Sequence, residues 1–117
     1  VENILEGTVV GRNDGYAAVD LGGLILKAVT DAAVGEAVTL CIRAGDVIIG
    51  SGGGARNTAA GTVTAVVEDG PVAEVKVDCG VELVAVLPWR AVQDLSLAPG
   101  IAVALSIEAA AIHLIRG

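Results

Sequence analysis

The chain has no phenylalanine, no methionine and only one Trp, one Tyr and one His among its 117 residues. A single Trp and a single Tyr cannot build the aromatic platform on which single-stranded nucleic acids stack. Positive charge is scarce as well: 7 Lys plus Arg stand against 14 Asp plus Glu, a formal net charge of -7. Such a surface repels phosphate backbones, and a nucleic-acid partner is excluded on both counts. One His and no Cys-x-x-Cys spacing leave no metal-ligand cluster, and no Ser, His and carboxylate fall into a catalytic grouping. Pairs such as Asp14 and Asp20, or Glu36 and Asp46, lie in turn-like stretches and give no reason to expect acid–base work. Long apolar runs are missing too. Mean hydropathy is +0.74, yet charges or glycines interrupt every stretch well before the roughly 18 residues of a spanning helix. No secretory or transit segment is visible, and the chain opens at Val1 rather than Met, as a fragment or a processed chain does. These absences describe a soluble globular chain without direct membrane insertion, and an enzyme is not expected.

What remains is 54% apolar, too much for disorder, and carried by Val, Ala, Leu and Ile. The length suits one ordinary domain or two very small ones. One small core cannot hide this much apolar surface, so part of it is expected at an interface with another chain or domain. The alternative is that Ala supplies much of the percentage and is tolerated in water. Cys41 and Cys79 stand singly among apolar neighbours and read as free thiols, with one disulfide as the alternative.

The chain repeats itself. Asn3-Ile4-Leu5-Glu6-Gly7-Thr8-Val9 aligns with Asn57-Thr58-Ala59-Ala60-Gly61-Thr62-Val63, and Val19-Asp20-Leu21-Gly22 with Val77-Asp78-Cys79-Gly80. Gly35-x-Ala37-Val38-x-Leu40-x-Ile42-Arg43 aligns with Gly100-x-Ala102-Val103-x-Leu105-x-Ile107-Glu108, and Val47-Ile48-Ile49 with Ile112-His113-Leu114. The offset grows along the chain, so the second copy carries two insertions. One of about four residues is expected to lengthen the first hairpin loop near Glu68-Asp69-Gly70-Pro71, and one of about seven falls at Trp89 to Leu95.

Each copy reads as short strands with period-two alternation. They are expected at 7–10, 17–21, 24–29, 37–43 and 47–49, and again at 61–67, 73–79, 82–87, 101–108 and 112–115. Asn13-Asp14-Gly15 and Asp69-Gly70-Pro71 carry hairpin chemistry. Pro88 opens a short helix over Trp89 to Leu95, present only in the second copy, with Trp89 as its packing anchor. The fold class is all-β: two tandem OB-like five-stranded Greek-key barrels. The expected division is a first barrel at 1–50, a Gly-rich linker and start of the second motif at 51–56, and a second barrel at 57–117. Gly50-Ser51-Gly52-Gly53-Gly54 fails as a phosphate loop, since no Lys-Ser/Thr and no helix-forming stretch follow it.

Ala55-Arg56-Asn57-x-x-x-Gly61-x-Val63, Val77-Asp78-x-Gly80, Leu95-x-Leu97-x-Pro99-Gly100 and Ser106-Ile107-Glu108-Ala109 resemble the MOP/TOBE family. The resemblance covers the chain as two copies. It implies small barrels that bind molybdate or tungstate, as in molbindins, or that form the C-terminal tail of ATP-binding subunits of oxyanion ABC importers. The stretch Cys41-Ile42-Arg43-Ala44-Gly45-Asp46-Val47-Ile48-Ile49 is similar to those tails. The implied ligand is a tetrahedral dianion, which needs converging N–H or O–H donors and positive charge. Carried over residue by residue, Ala55, Arg56 and Asn57 match the family's S-A-R-N segment, with Gly54 in the Ser place. Thr30 stands at the Thr of I-T-x-x-S in the first copy and Arg43 at the Lys of F-K-A. In the second copy Pro88, Ala91 and Glu108 occupy the Thr, Ser and Lys places. The implied oxyanion set is therefore Thr30 and Arg43, with Ala55, Arg56 and Asn57 from a neighbouring copy, and Lys27 as a further candidate.

Each candidate also has a structural reading. Thr30 beside Asp31 forms a turn, Arg43 lies on a solvated face, Asn57 satisfies backbone groups, and Arg56 pairs with one of many carboxylates. His113 is a packed or edge residue of the last strand. The resemblance implies a regulatory, oxyanion-sensing and assembly domain of a molybdate/tungstate importer ATP-binding subunit. Its partners would be an attached ATPase domain and a second copy of the chain; no Walker motif lies in this sequence. A free-standing molbindin-like protein and a ligand-free OB-like interaction module are the alternatives.

Overall fold

The computed structural model describes residues 2–50 and 57–116. Among them the first copy forms β1 (Glu2–Asn13), β2 (Tyr16–Asp20), β3 (Ile25–Val29), β4 (Ala37–Arg43), a 3₁₀ turn (Ala44–Asp46) and β5 (Ile48–Ile49). The second forms β6 (Asn57–Asp69), β7 (Val72–Asp78), β8 (Glu82–Pro88), helix α1 (Trp89–Asp94), β9 (Ala102–Ile107), a 3₁₀ turn (Ala109–Ala111) and β10 (His113–Arg116). Residues 51–56, including the expected linker, lie outside the described residues. Alternation does what it predicts. In β4, Val38, Leu40 and Ile42 are buried while Ala37 and Arg43 are exposed, and in β7 Ala73, Val75 and Val77 turn inward.

The first hairpins close on two-residue turns. Asp14 (φ 52°) and Gly15 (φ 81°) both take left-handed backbone, the type I′ arrangement that matches strand twist. In the second copy Gly70 (φ 63°) precedes Pro71, as a type II′ turn requires. The expected longer loop there is corrected: Glu68 and Asp69 pair with Ala73 and Val72, so the inserted residues extend the ladder instead. Extra residues gain cross-strand partners this way, where a longer loop would only cost closure entropy. Both ladders carry a bulge at the same repeat position, Val10 after the Val9–Val19 pair and Thr64 after the Val63–Val77 pair.

The fifth strand of each copy does not close its own barrel. The two sheets run β10-β4-β1-β2-β3 and β5-β9-β6-β7-β8. Thus β10 pairs with β4 of the first copy (His113 with Cys41, Leu114 with Leu40), and β5 pairs with β9 of the second (Ile48 with Ser106, Ile49 with Leu105). The expectation that strands 47–49 and 112–115 end their own copies is corrected on this point. The cause is the 3₁₀ turn before each strand, closed by Val47 N–H on the Ala44 carbonyl (3.3 Å) and by Ile112 N–H on the Ala109 carbonyl (3.2 Å). Each turn sends the chain across to the other copy. Ala44–Asp46 then packs on β8 and Ala109–Ala111 on β3, with Ala44 and Ala109 buried.

The exchange joins the buried apolar residues of both copies, from Val9 and Leu40 to Val77 and Leu105, into one continuous cluster. Part of the apolar surplus is thereby absorbed between the copies. Helix α1 rests on β7 and β8, with Trp89 packed against the core and its N–H on the Pro71 carbonyl (2.9 Å). Cys41 and Cys79 are free; Cys79 is buried, and burial pushes its thiol above its ordinary value.

Candidate functional site

The exchange leaves β3 and β8 as sheet edges, each with backbone groups that no neighbouring strand claims. An asparagine from the other copy covers each edge. Asn57 opens β6 and is buried; its Oδ1 accepts the Lys27 N–H (2.7 Å) and its Nδ2 donates to the Lys27 carbonyl (2.9 Å). Asn3 does the same on β8: its Oδ1 accepts the Val84 N–H (2.7 Å) and its Nδ2 donates to the Val84 carbonyl (2.9 Å) and the Ile42 carbonyl (3.3 Å). A carboxamide carries the same acceptor and donor as a peptide group, so one side chain stands in for a strand residue. Burial makes both bonds matter, because an unpaired backbone group in this position costs about 1–3 kcal/mol. The two junctions are related by the repeat and are built from the two asparagines at which the repeat begins.

The structure places the remaining candidates around these junctions. Lys27 lies on β3, so its backbone meets Asn57 directly. Thr30 follows β3; its Oγ1 accepts the Ala32 N–H (3.2 Å), forming the turn that its neighbour Asp31 suggested. Arg43 ends β4, exposed and in register with Glu2, next to the Ile42 carbonyl that Asn3 reaches. Arg43 therefore belongs to the Asn3 junction, whereas Lys27 and Asn57 form the other. Within one chain these candidates are not brought to a single place. Arg43 directly precedes the 3₁₀ turn packed on β8, and Glu108 directly precedes the one packed on β3, which supports their alignment across the repeat. The Lys27–Asn57 junction thus has an exposed carboxylate at the position where the Asn3 junction has a guanidinium. Pro88 ends β8 and Ala91 lies within α1. Ala55 and Arg56 lie outside the described residues.

One residue that sequence reasoning passed over ties this region together. Arg12, near the end of β1, donates to the carbonyls of Ala32 (2.5 Å) and Thr30 (2.8 Å) and so holds the segment after β3 against the hairpin. Nothing in a lone Arg between Gly11 and Asn13 announces that role, because both acceptors are backbone atoms about 20 residues away, a separation no local pattern encodes. Among the described residues no group of three or more His, Cys, Asp or Glu could hold a metal ion, and no helix is long and apolar enough to cross a membrane.

The sequence model of the TOBE domain matches residues 54–114. The fold is similar to that of the cytoplasmic molybdate-binding protein ModG, in a crystal form with molybdate bound, at a TM-score of 0.83 and 27% sequence identity. That likeness covers 98% of this chain and 96% of the ModG chain. No protein of curated function matches the sequence.

Proposed function

The chain belongs to the TOBE domain family, and on that premise we propose that it is a cytoplasmic two-barrel binding protein for a tetrahedral oxyanion of the molybdate class. The observation that carries this reading is the end-to-end likeness to molybdate-bound ModG, across both barrels and nearly the whole of each chain. It favours a self-sufficient oxyanion-binding unit. The Cys41 to Ile49 segment favours a second context for the same chemistry, the regulatory and assembly tail of a molybdate/tungstate importer ATP-binding subunit.

A tetrahedral dianion needs several N–H or O–H donors and a compensating positive charge. The proposed donors are Arg43 and Thr30 from one copy, with Ala55, Arg56 and Asn57 from another and Lys27 beside them. Arg43 and Asn57 occupy different junctions of one chain, so a site that uses both draws them from two chains. Binding and self-association are then coupled, and the chain works by binding rather than by catalysis.

The test is thermal denaturation and Trp89 fluorescence at low ionic strength, with molybdate, tungstate and sulfate, alongside light scattering after size exclusion. Molybdate or tungstate is expected to raise the melting temperature, and Arg43→Ala is expected to weaken binding by roughly tenfold to a hundredfold, the loss of one charge-assisted contact. No response to either anion at millimolar concentration overturns the oxyanion reading. A strict monomer that nevertheless binds molybdate overturns the shared site.

A further inference from the structure

We propose that the outer face of the first copy carries a second, separate binding site, for a small planar organic monoanion such as an aromatic carboxylate. The site is a cavity of about 250 Å³ on the solvent side of β1, β2 and β3. Gly11 and Ala18 pair across β1 and β2, Ala18 pairs with Lys27 on β3, and all three line the cavity. Two small residues side by side leave a hollow in a sheet face that ordinary outward side chains would fill. The second copy differs at this place. Its residues in the same register are Ala65, Lys76 and Val84, so a lysine stands where the first copy has Ala18.

The walls set the chemistry. Arg12 and Lys27 bring two positive charges to the cavity, and Arg12 is held there by its bonds to the carbonyls of Thr30 and Ala32. Neither belongs to an ion pair among the described residues, where the pairs found are those of Arg116. In a chain with 14 acidic against 7 basic residues, two cations on one cavity, neither in an ion pair among the described residues, are a specific feature. Asp14 also lines the cavity and lowers the local sum to one positive charge. A monoanion neutralises that balance, whereas a dianion leaves one negative charge uncompensated in the cavity. Half-buried Tyr16 lines it too and adds an aromatic residue to its wall. At about 30 Å³ per water the volume corresponds to roughly eight waters, more than a bare tetrahedral ion fills and suited to a ring-sized acid. The site does not rest on the junctions: Lys27 meets Asn57 through its backbone and this cavity through its side chain.

The experiment is a titration of isotope-labelled protein with benzoate, followed by amide chemical shifts, with cyclohexanecarboxylate and sulfate as comparisons. Benzoate is expected to shift the amides of Gly11, Tyr16, Ala18 and Lys27 and to approach saturation by about 10 mM. Ala18→Lys, which installs the second copy's lysine, is expected to weaken binding at least about tenfold, and Lys27→Gln about threefold to tenfold. Lys27→Gln keeps the test decisive if Ala18→Lys does not fold. Absence of shifts at these amides overturns the site, as does an unchanged response in a folded Ala18→Lys protein. Sulfate or cyclohexanecarboxylate binding as tightly as benzoate overturns the ligand class. Molybdate binding is read separately on Ala18→Lys, where it is expected to survive; Lys27, itself a proposed oxyanion donor, is left out of that comparison, so failure of either reading is seen apart from the other.

Discussion

The first and second copies share their strand order, their bulge position and their leading asparagine, yet they differ in what they show to solvent. In the second copy Lys76 stands at the register position of Ala18, and α1 packs on β7 and β8. The first copy has no such helix and keeps a hollow over Gly11 and Ala18, ringed by Arg12, Tyr16 and Lys27. The features that stayed alike are those that face the other copy. Asn3, Asn57 and the two 3₁₀ turns each satisfy or cover the opposite copy's edge, so a change in one of them strands buried polar groups in its partner. Outward positions carry no such obligation, and there the copies have diverged in charge and shape.

The sharpest way to test this division is at equivalent glycines. Gly22 and Gly80 occupy the same turn, each with its N–H on the Oδ1 of the preceding Asp and each with positive φ, 90° and 99°. A Cβ on Gly22 would meet nothing within 4 Å, while one on Gly80 would lie 1.9 Å from the carbonyl oxygen of Gly23 in the other copy. Gly80→Ala is expected to cost about 3–5 kcal/mol, strain plus a collision of backbones, against about 1 kcal/mol for Gly22→Ala. Urea unfolding measures both, and equal losses would remove the close approach between copies from the account.

The asparagines come next. Asn57→Ala and Asn3→Ala are each expected to cost about 2–3 kcal/mol, because each orphans an edge N–H and C=O. Similar values would sharpen the symmetry of the junctions. A loss for either below about 0.5 kcal/mol would mean that water replaces the amide at that edge.

The smallest effect is expected where the two exchanged strands are tied down differently. The segment at β5 is held by neutral bonds: Ser106 Oγ donates to the Gly50 carbonyl (2.7 Å), and the Gly50 N–H donates to the Ala104 carbonyl (2.8 Å). β10 is held by charge, with Arg116 Nε and Nη2 on the Glu36 carboxylate (2.6 and 3.0 Å) and Nη1 on Asp31 (2.7 Å). The Arg116 bonds, helped by the Ala33 N–H, hold the Glu36 carboxyl below its ordinary value of 4.5. The unfolded chain therefore binds the Glu36 proton more readily than the folded one. The contribution is fully present above the ordinary carboxylate range and is lost as pH falls through the lowered folded value. These groups are solvated, so Arg116→Ala is expected to lower the melting temperature only slightly, at neutral pH and low salt, with no difference left in acid or at high salt. A difference that persists in acid would show that Arg116 acts through packing rather than charge.

Much of this was legible in the residues. Ordered matches with matched turn chemistry revealed the duplication, and the alternation in 37–43 and 73–79 identified the inward faces. Asn57 was also legible, both as a motif residue and as a residue that satisfies backbone groups. That it serves the backbone of the other copy was not, because an edge exists only once sheets have formed. The same holds for the grouping of Thr30, Arg43, Lys27 and Asn57. Motif alignment lists them together, while the exchange assigns Arg43 to one junction and Asn57 to the other.

By itself, then, the sequence determined the strand pattern, the hairpin turns, the short helix after Pro88 and the shortage of cations that makes Lys27 and Arg43 informative. Side-chain periodicity and backbone preference act over a few residues, and those features need nothing more. Only the tertiary structure decided which sheet each last strand joins, how the edges are covered and where the charges meet. Strands as short as β5 and β10 find almost the same backbone ladder on either copy, so their own residues express little preference. The crossing 3₁₀ turns and the two asparagines make the choice, and they act through contacts between parts of the chain that are far apart in sequence.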